Sequence, residues 1–147
     1  MAELVGTLRT FNLDMRAFIM QRVKETAEGI AKSGGGNASV EWFSDGYIPP
    51  LINNVALTNR MVPTLQRVVG KEKAIETKPL TASEDFSFYA QEIPSMFYSV
   101  GITPPGAPAS LVAANHSPRF QIDETGLLPA LRATVHLAFD YMATDGK

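Results

Sequence analysis

A pair of adjacent prolines, Pro49-Pro50, constrains this 147-residue chain more than any other feature. Neither ring nitrogen can donate a hydrogen bond, and the residue before each proline is pushed out of the helical region. The stretch Asp-Gly-Tyr-Ile-Pro-Pro-Leu-Ile-Asn-Asn at 45–54 therefore reads as an extended connection. It is the expected boundary between a first unit at 1–52 and a second at 53–147.

Ahead of the prolines, residues 4–11 form a short β-rich run, with Val5, Leu8 and Phe11 among Thr7, Arg9 and Thr10. Asn12 can then cap a helix in which Met15, Phe18, Ile19, Val23, Ala27 and Ile30 recur at helical spacing to about Lys32. Ser33-Gly34-Gly35-Gly36-Asn37 stops that helix with residues that tolerate positive φ, and 39–43 reads as a second strand. Two strands and a helix make a marginal sheet, so further strands are expected from a missing segment or a second subunit.

Beyond the prolines, Asn53 or Asn54 can cap a helix carrying Leu57, Met61, Leu65, Val68 and Val69, with Gly70 at its C-terminus. Residues 73–80 could supply a strand, Ser83-Glu84-Asp85-Phe86 a turn into one or two helical turns, and 95–102 a stronger apolar strand. In that last run, Met96, Phe97, Tyr98 and Val100 suit a strand buried on both faces. A Pro-rich loop at 103–115 follows. The final helix carries Leu127, Leu128, Leu131, Val135, Phe139 and Met142 on one face and is expected to pack on the sheet. With Thr125 as N-cap, Pro129 falls in the first turn, where its missing N–H is harmless.

Composition excludes several function classes. Thirteen Lys and Arg against 15 Asp and Glu leave no broad basic surface for a phosphate backbone, so nucleic acid is not an expected partner. The absence of cysteine removes disulfides, thiolate metal sites and cysteine nucleophiles. No apolar run reaches the roughly 20 residues of a bilayer span, and the N-terminus lacks signal-peptide character. The expectation is a soluble cytoplasmic chain that does not engage a membrane.

Few side chains could carry chemistry. His136, between Arg132 and Asp140 at four-residue intervals, belongs to a polar stripe opposite the apolar face of the final helix and reads as a surface histidine. His116 ends the Pro-rich loop, where scaffolds present functional side chains, although a lone loop histidine is more often simply exposed. Ser83-Glu84-Asp85 places two carboxylates at a helix start, where capping accounts for them without catalysis. Arg9 could bind a carboxylate bidentately or merely be solvated.

The order of four short strings is more informative than any one of them. Gly6-Thr7-Leu8-Arg9-Thr10-Phe11 comes first, then Tyr47-Ile48-Pro49-Pro50 with Asn53 close behind. Ser83-Glu84-Asp85-Phe86-Ser87 follows, and then His116-Ser117-Pro118-Arg119-Phe120 with Asp123-Glu124. Together they resemble the C-terminal part of the M20 metallopeptidase family, in its amidohydrolase branch of hippurate-hydrolase-like and auxin-conjugate-hydrolase-like enzymes.

The resemblance implies an α/β fold with an α+β lid. Residues 1–52 would be the second half of a small ferredoxin-like lid and dimerisation domain, and 53–147 the C-terminal part of a mixed-sheet catalytic domain. It implies a metal-dependent hydrolase of the amide bond of N-acyl amino acids, with His116 as a ligand for zinc, manganese or cobalt. Glu84 and Asp85 would lie at the active-site rim, and Arg9 and Asn53 in lid or hinge motifs that could touch substrate. A homo-oligomer formed through the lid is also implied.

The family's other ligands and its paired glutamates have no counterpart here, and catalytic zinc typically needs about three protein ligands. The isolated chain is accordingly expected to be an inactive fragment. The alternative is a non-catalytic interaction or dimerisation module that retains the lid.

Overall fold

The structure, a computed structural model, describes residues 1–43, 47–108 and 112–144. Among them the regular elements are α1 (Leu13–Ser33), α2 (Val55–Val69), α3 (Phe86–Glu92) and α4 (Leu127–Thr144), with a 3-10 turn at Glu124–Gly126 leading into α4. Residues 45 and 46 of the expected connection and 109–111 of the Pro-rich loop lie outside the described residues.

The helix signals act as their chemistry requires. Asn12 is extended, and its side-chain oxygen accepts from Met15 N at 3.0 Å. The Gly run then ends α1: Gly36 N donates to Ala31 O at 2.8 Å, and Gly35 adopts φ 75°, a conformation that needs no side chain. Asn54 caps α2 by accepting from Leu57 N at 2.9 Å, and Gly70 leaves it at φ 94°. Pro63 lies inside α2 without ending it. Ahead of α4 the cap differs from expectation. Asp123 accepts from both the N–H and the hydroxyl of Thr125, at 3.0 and 2.8 Å, so Asp123 and not Thr125 opens the turn. Pro129 stays in the first turn of α4.

The expected α/β architecture is overturned. Among the described residues there is no strand, and hence neither a mixed sheet nor a ferredoxin-like half-lid. β-propensity expresses fit to a pleated, half-buried surface, and a run without a neighbour has nothing to fit. Leu4, Val5 and Phe43 are 99%, 84% and 81% exposed, so 4–11 and 39–43 bury no apolar face. Residues 73–80 open in a turn, with Lys73 and Ala74 N–H donating to Gly70 O. The run 95–102 is extended, but Phe97 is exposed and among the described residues no second backbone flanks it as a ladder.

Two compact units result, Met1–Ile52 with Lys78–Pro94 and Asn53–Thr77 with Ser95–Lys147. In the first, no α1 residue is buried, and Pro49 and Ser87 are its buried residues among those described. The Arg16 guanidinium lies 4.3 Å from the Tyr47 ring centre, and Arg9 Nη1 donates to Thr81 O at 3.3 Å.

In the second unit α4 packs on α2, in place of the expected sheet. Met61 and Thr64 of α2 and Ala133 of α4 are buried between them. Arg60 donates to Tyr141 O at 2.7 Å and stacks over the Tyr141 ring, and Asp140 accepts from Thr64 Oγ1 at 2.5 Å and pairs with Arg67.

Candidate functional site

His116 occupies a tight turn in which Ser117 N donates to Ala114 O at 3.1 Å. It is the one non-glycine residue with positive φ, 70°, among the described residues. That region disfavours a Cβ, although histidine enters it more readily than most residues, and strain of this kind clusters at functional positions. A second turn, closed by Phe120 N to Ser117 O at 3.0 Å, holds the next residues, and Ser117 Oγ accepts from Arg119 N at 3.2 Å. The imidazole is exposed.

Among the described residues no three His, Asp or Glu side chains gather where they could hold a metal ion. The described residues therefore do not fit a complete metal site. His116 could offer one ligand nitrogen to it.

Glu84 acts on the backbone: its Oε1 accepts from Phe86 N at 3.1 Å, capping the start of α3. Of the two carboxylates for which capping was the simple account, Glu84 performs it. Asp85 makes no side-chain capping bond and is exposed. Arg9, in the same unit, reaches Thr81 O, three residues before Glu84. Asn53 belongs to the second unit with His116. Its amide is engaged at both ends, accepting from Phe97 N and donating to Phe97 O, each at 2.8 Å.

Other residues have surroundings that the sequence reading did not give them. Asp140 was read as part of a solvated stripe, yet it is the acceptor joining α4 to α2. The hydroxyl of Thr64, and after it the guanidinium of Arg67, hold its carboxyl below the ordinary value of 3.8. The available signal was Thr64 and Arg67 three residues apart on one face of α2. Ser87 is fully buried and its hydroxyl has no partner among the described residues. It borders a cavity of about 470 Å³ within the first unit, lined also by Phe11, Asp14, Pro50, Ile52 and Gln91. No sequence pattern marked that cavity.

Comparison with known proteins supplies the family. Residues 1–140 match the model of peptidase family M20/M25/M40. The chain is 33% identical over 135 residues to N-acetyldiaminopimelate deacetylase of Lacticaseibacillus paracasei, covering 92% of this chain and 33% of that protein. It is 33% identical over 126 residues to IAA-amino acid hydrolase ILR1-like 4 of Arabidopsis thaliana, covering 84% and 28%. A third relative, N-acetyl-L-cysteine deacetylase of Bacillus subtilis, is 33% identical over 125 residues, covering 85% and 27%. The chain thus spans about a third of the length of the curated relatives it matches. With a match running from residue 1 to residue 140, the chain belongs to peptidase family M20/M25/M40.

Proposed function

We propose that this chain is the C-terminal part of a hydrolase that cleaves the amide bond of N-acyl amino acids. The observation that carries the reading is the match to this family over 1–140, together with relatives named as deacetylases and amino-acid conjugate hydrolases. The chain's share of its relatives' length supports the view that most of the active site comes from residues outside it. Residues 1–52 correspond in this reading to part of a lid through which two copies associate, and 53–147 to part of the catalytic domain.

His116 is assigned as one metal ligand. Its exposed imidazole and its strained, turn-bound backbone support that role, because a ligand must be presented and held at once. A bound zinc, manganese or cobalt ion would polarise the scissile carbonyl and acidify a water molecule. Among the chain's own residues, Arg9 is the cation suited to a substrate carboxylate, and the Glu84-Asp85 turn forms part of the site rim. Asn53 acts by fixing the backbone at Phe97.

The test is hydrolysis by a single polypeptide in which the first two-thirds of the Lacticaseibacillus deacetylase precedes this chain. The substrates are a panel of N-acyl amino acids that includes N-acetyldiaminopimelate and hippurate, with each metal added in turn. Release of free amino acid that disappears with His116→Ala supports the reading. A folded, metal-loaded protein that cleaves none of them rejects it and leaves the interaction module as the better account.

A further inference from the structure

The chain on the two sides of His116 comes back to one point of the second unit. Asp123 N donates to Ile102 O at 2.9 Å, which pins the lead-in to the 3-10 turn onto the end of the 95–102 run. Three residues on, Gly126 lies against the same run. A Cβ at position 126 would fall 3.3 Å from Gly101 O and 3.3 Å from Ile102 Cγ2. Gly126 is not among the glycines with positive φ, so space and not backbone conformation calls for glycine there. Farther along, Tyr98 Oη and Thr134 Oγ1 are 2.8 Å apart. Thr134 gives its own proton to Ala130 O at 3.1 Å, which makes Tyr98 the donor of that pair.

His116 is linked to this stem by successive tight turns. Ala114 O accepts from Ser117 N at 3.1 Å, Ser117 O from Phe120 N at 3.0 Å, and Asp123 O from Gly126 N at 3.0 Å. The Asp123 side chain closes the last turn a second time, through Thr125. Only Gln121 and Ile122 lie between the second turn and the third. A residue at φ 70° that is not glycine persists where its surroundings hold it there. The stem is the part of the unit to which the His116 turn is tied.

We propose that Gly126 is a positioning residue for His116: lacking a side chain, it lets the start of α4 close on Gly101, and that closure sets where the imidazole is presented. This rests on the reading of His116 as a working residue of a hydrolase and adds the position that aims it. With alanine at 126, Gly101 O and Ile102 Cγ2 would have to give by a few tenths of an ångström. The isoleucine side chain can turn aside. The Gly101 carbonyl is backbone and moves only with Ile102, whose own carbonyl holds Asp123 N, so the displacement passes along the turns to residue 116. Position 101 supplies the counter-case, because a Cβ built on Gly101 meets nothing within 4 Å. One methyl group on either side of the same contact therefore has different consequences.

The test is amide hydrogen exchange at Ser117, Phe120 and Asp123 in the 147-residue chain, in Gly126→Ala and in Gly101→Ala, with the amides of the α2 interior as reference. In Gly126→Ala all three amides are expected to exchange about ten-fold faster while α2 keeps its rates. In Gly101→Ala they are expected to stay within about two-fold of the unaltered chain. Alanine is the better helix former, so a weaker start to α4 cannot account for faster exchange. The second measurement uses the joined hydrolase, this chain preceded by the first two-thirds of the Lacticaseibacillus deacetylase. There Gly126→Ala is expected to lower kcat about ten-fold with KM within about two-fold, and Gly101→Ala to leave both near their unaltered values.

Equal exchange in the three proteins overturns the proposal, and so does an equal response to alanine at 101 and at 126. Faster exchange at Asp123 alone confines the effect to the stem and leaves His116 set by its own turn. Faster exchange that extends to α2, or a Gly126→Ala chain that no longer unfolds cooperatively, makes the glycine a residue of general stability and overturns the positioning role. The two ideas fail separately. A joined protein that cleaves no substrate removes the hydrolase, and the exchange pattern still decides whether Gly126 sets His116. A joined protein whose kcat is untouched by Gly126→Ala keeps the hydrolase and removes the positioning residue.

Discussion

Asn53 and Phe97 are joined through one side-chain amide that accepts from Phe97 N and donates to Phe97 O, both at 2.8 Å. The primary amide has the donor–acceptor pair of a peptide group and so stands where a neighbouring strand would. Asn54 N continues the pairing to Ser95 O at 2.8 Å. The segment that looked most like a buried strand is thus engaged by a side chain at Phe97 and by isolated backbone bonds at its ends, Asn54 N to Ser95 O and, at 2.9 Å, Asp123 N to Ile102 O. Asn53→Ala is expected to cost about 1–2 kcal/mol in urea unfolding, because two neutral hydrogen bonds are lost at a partly exposed site. Asn53→Asp is expected to cost at least as much, since a carboxylate oxygen would then face Phe97 O.

The Asp140 carboxylate gives a pH dependence whose sign follows from its partners. Thr64 first and Arg67 second favour its ionised form, so its folded value lies below 3.8. Its stabilisation is fully present above the unfolded carboxylate range and is lost as pH falls through the lower folded value. The contribution of Asp140 to the thermal midpoint is therefore expected to be full and independent of pH near neutrality and to fall away on acidification below about pH 4. Asp140→Asn removes that part of the acid dependence, and Thr64→Val and Arg67→Met each remove some of it. Parallel melts from pH 7 to pH 2 check the three variants.

The two asparagine caps are separable by unit. Asn54→Ala should lower stability by about 1 kcal/mol and Asn54→Ser by much less, because serine also accepts from the first-turn N–H groups. Asn12→Ala should shorten α1 at its start, read as reduced helical circular dichroism, with less effect on α2 and α4. Equal loss from Ala and Ser at position 54 would mean that the Asn54 side chain contributes nothing as a cap.

His116 allows backbone strain and ligand chemistry to be told apart. At φ 70°, His116→Gly is expected to leave stability within about 0.5 kcal/mol, whereas His116→Val should cost about 1–2 kcal/mol. In the joined hydrolase both variants should lose metal and activity alike, and removing metal with a chelator should stop hydrolysis reversibly. Activity that survives in His116→Gly would assign the residue to the turn alone.

Helix ends were legible because they are local: Asn12, Asn54, the Gly run after Ser33 and Gly70 act on backbone groups within four residues. Strands were not legible in the same way. Runs such as 4–11 and 39–43 have the composition of strands, but a strand exists only with a neighbour, and no neighbour is present among the described residues. For α4 the apolar periodicity was read correctly and its partner was not. The stripe through Leu131 and Val135 looked like the packed face, whereas the side with Ala133 meets α2 because small residues let two helices approach closely.

The same division holds for the candidate site. The order of the short strings from Gly6 to Glu124 pointed to the family that the comparison then showed over 1–140. His116 was nominated by its string, while its strained turn came only from the fold. Asn53 was nominated for a contact with substrate, and only the tertiary structure engaged its amide with Phe97. What the sequence by itself determined about this protein is its family, its helix caps and the breaks between segments, all set by neighbouring residues and their order. What only the tertiary structure decided is the company those segments keep: α4 on α2, Asp140 between Thr64 and Arg67, and an apolar stripe left uncovered. Packing and hydrogen bonding across 40 to 80 residues depend on which surfaces meet, and no local pattern specifies that.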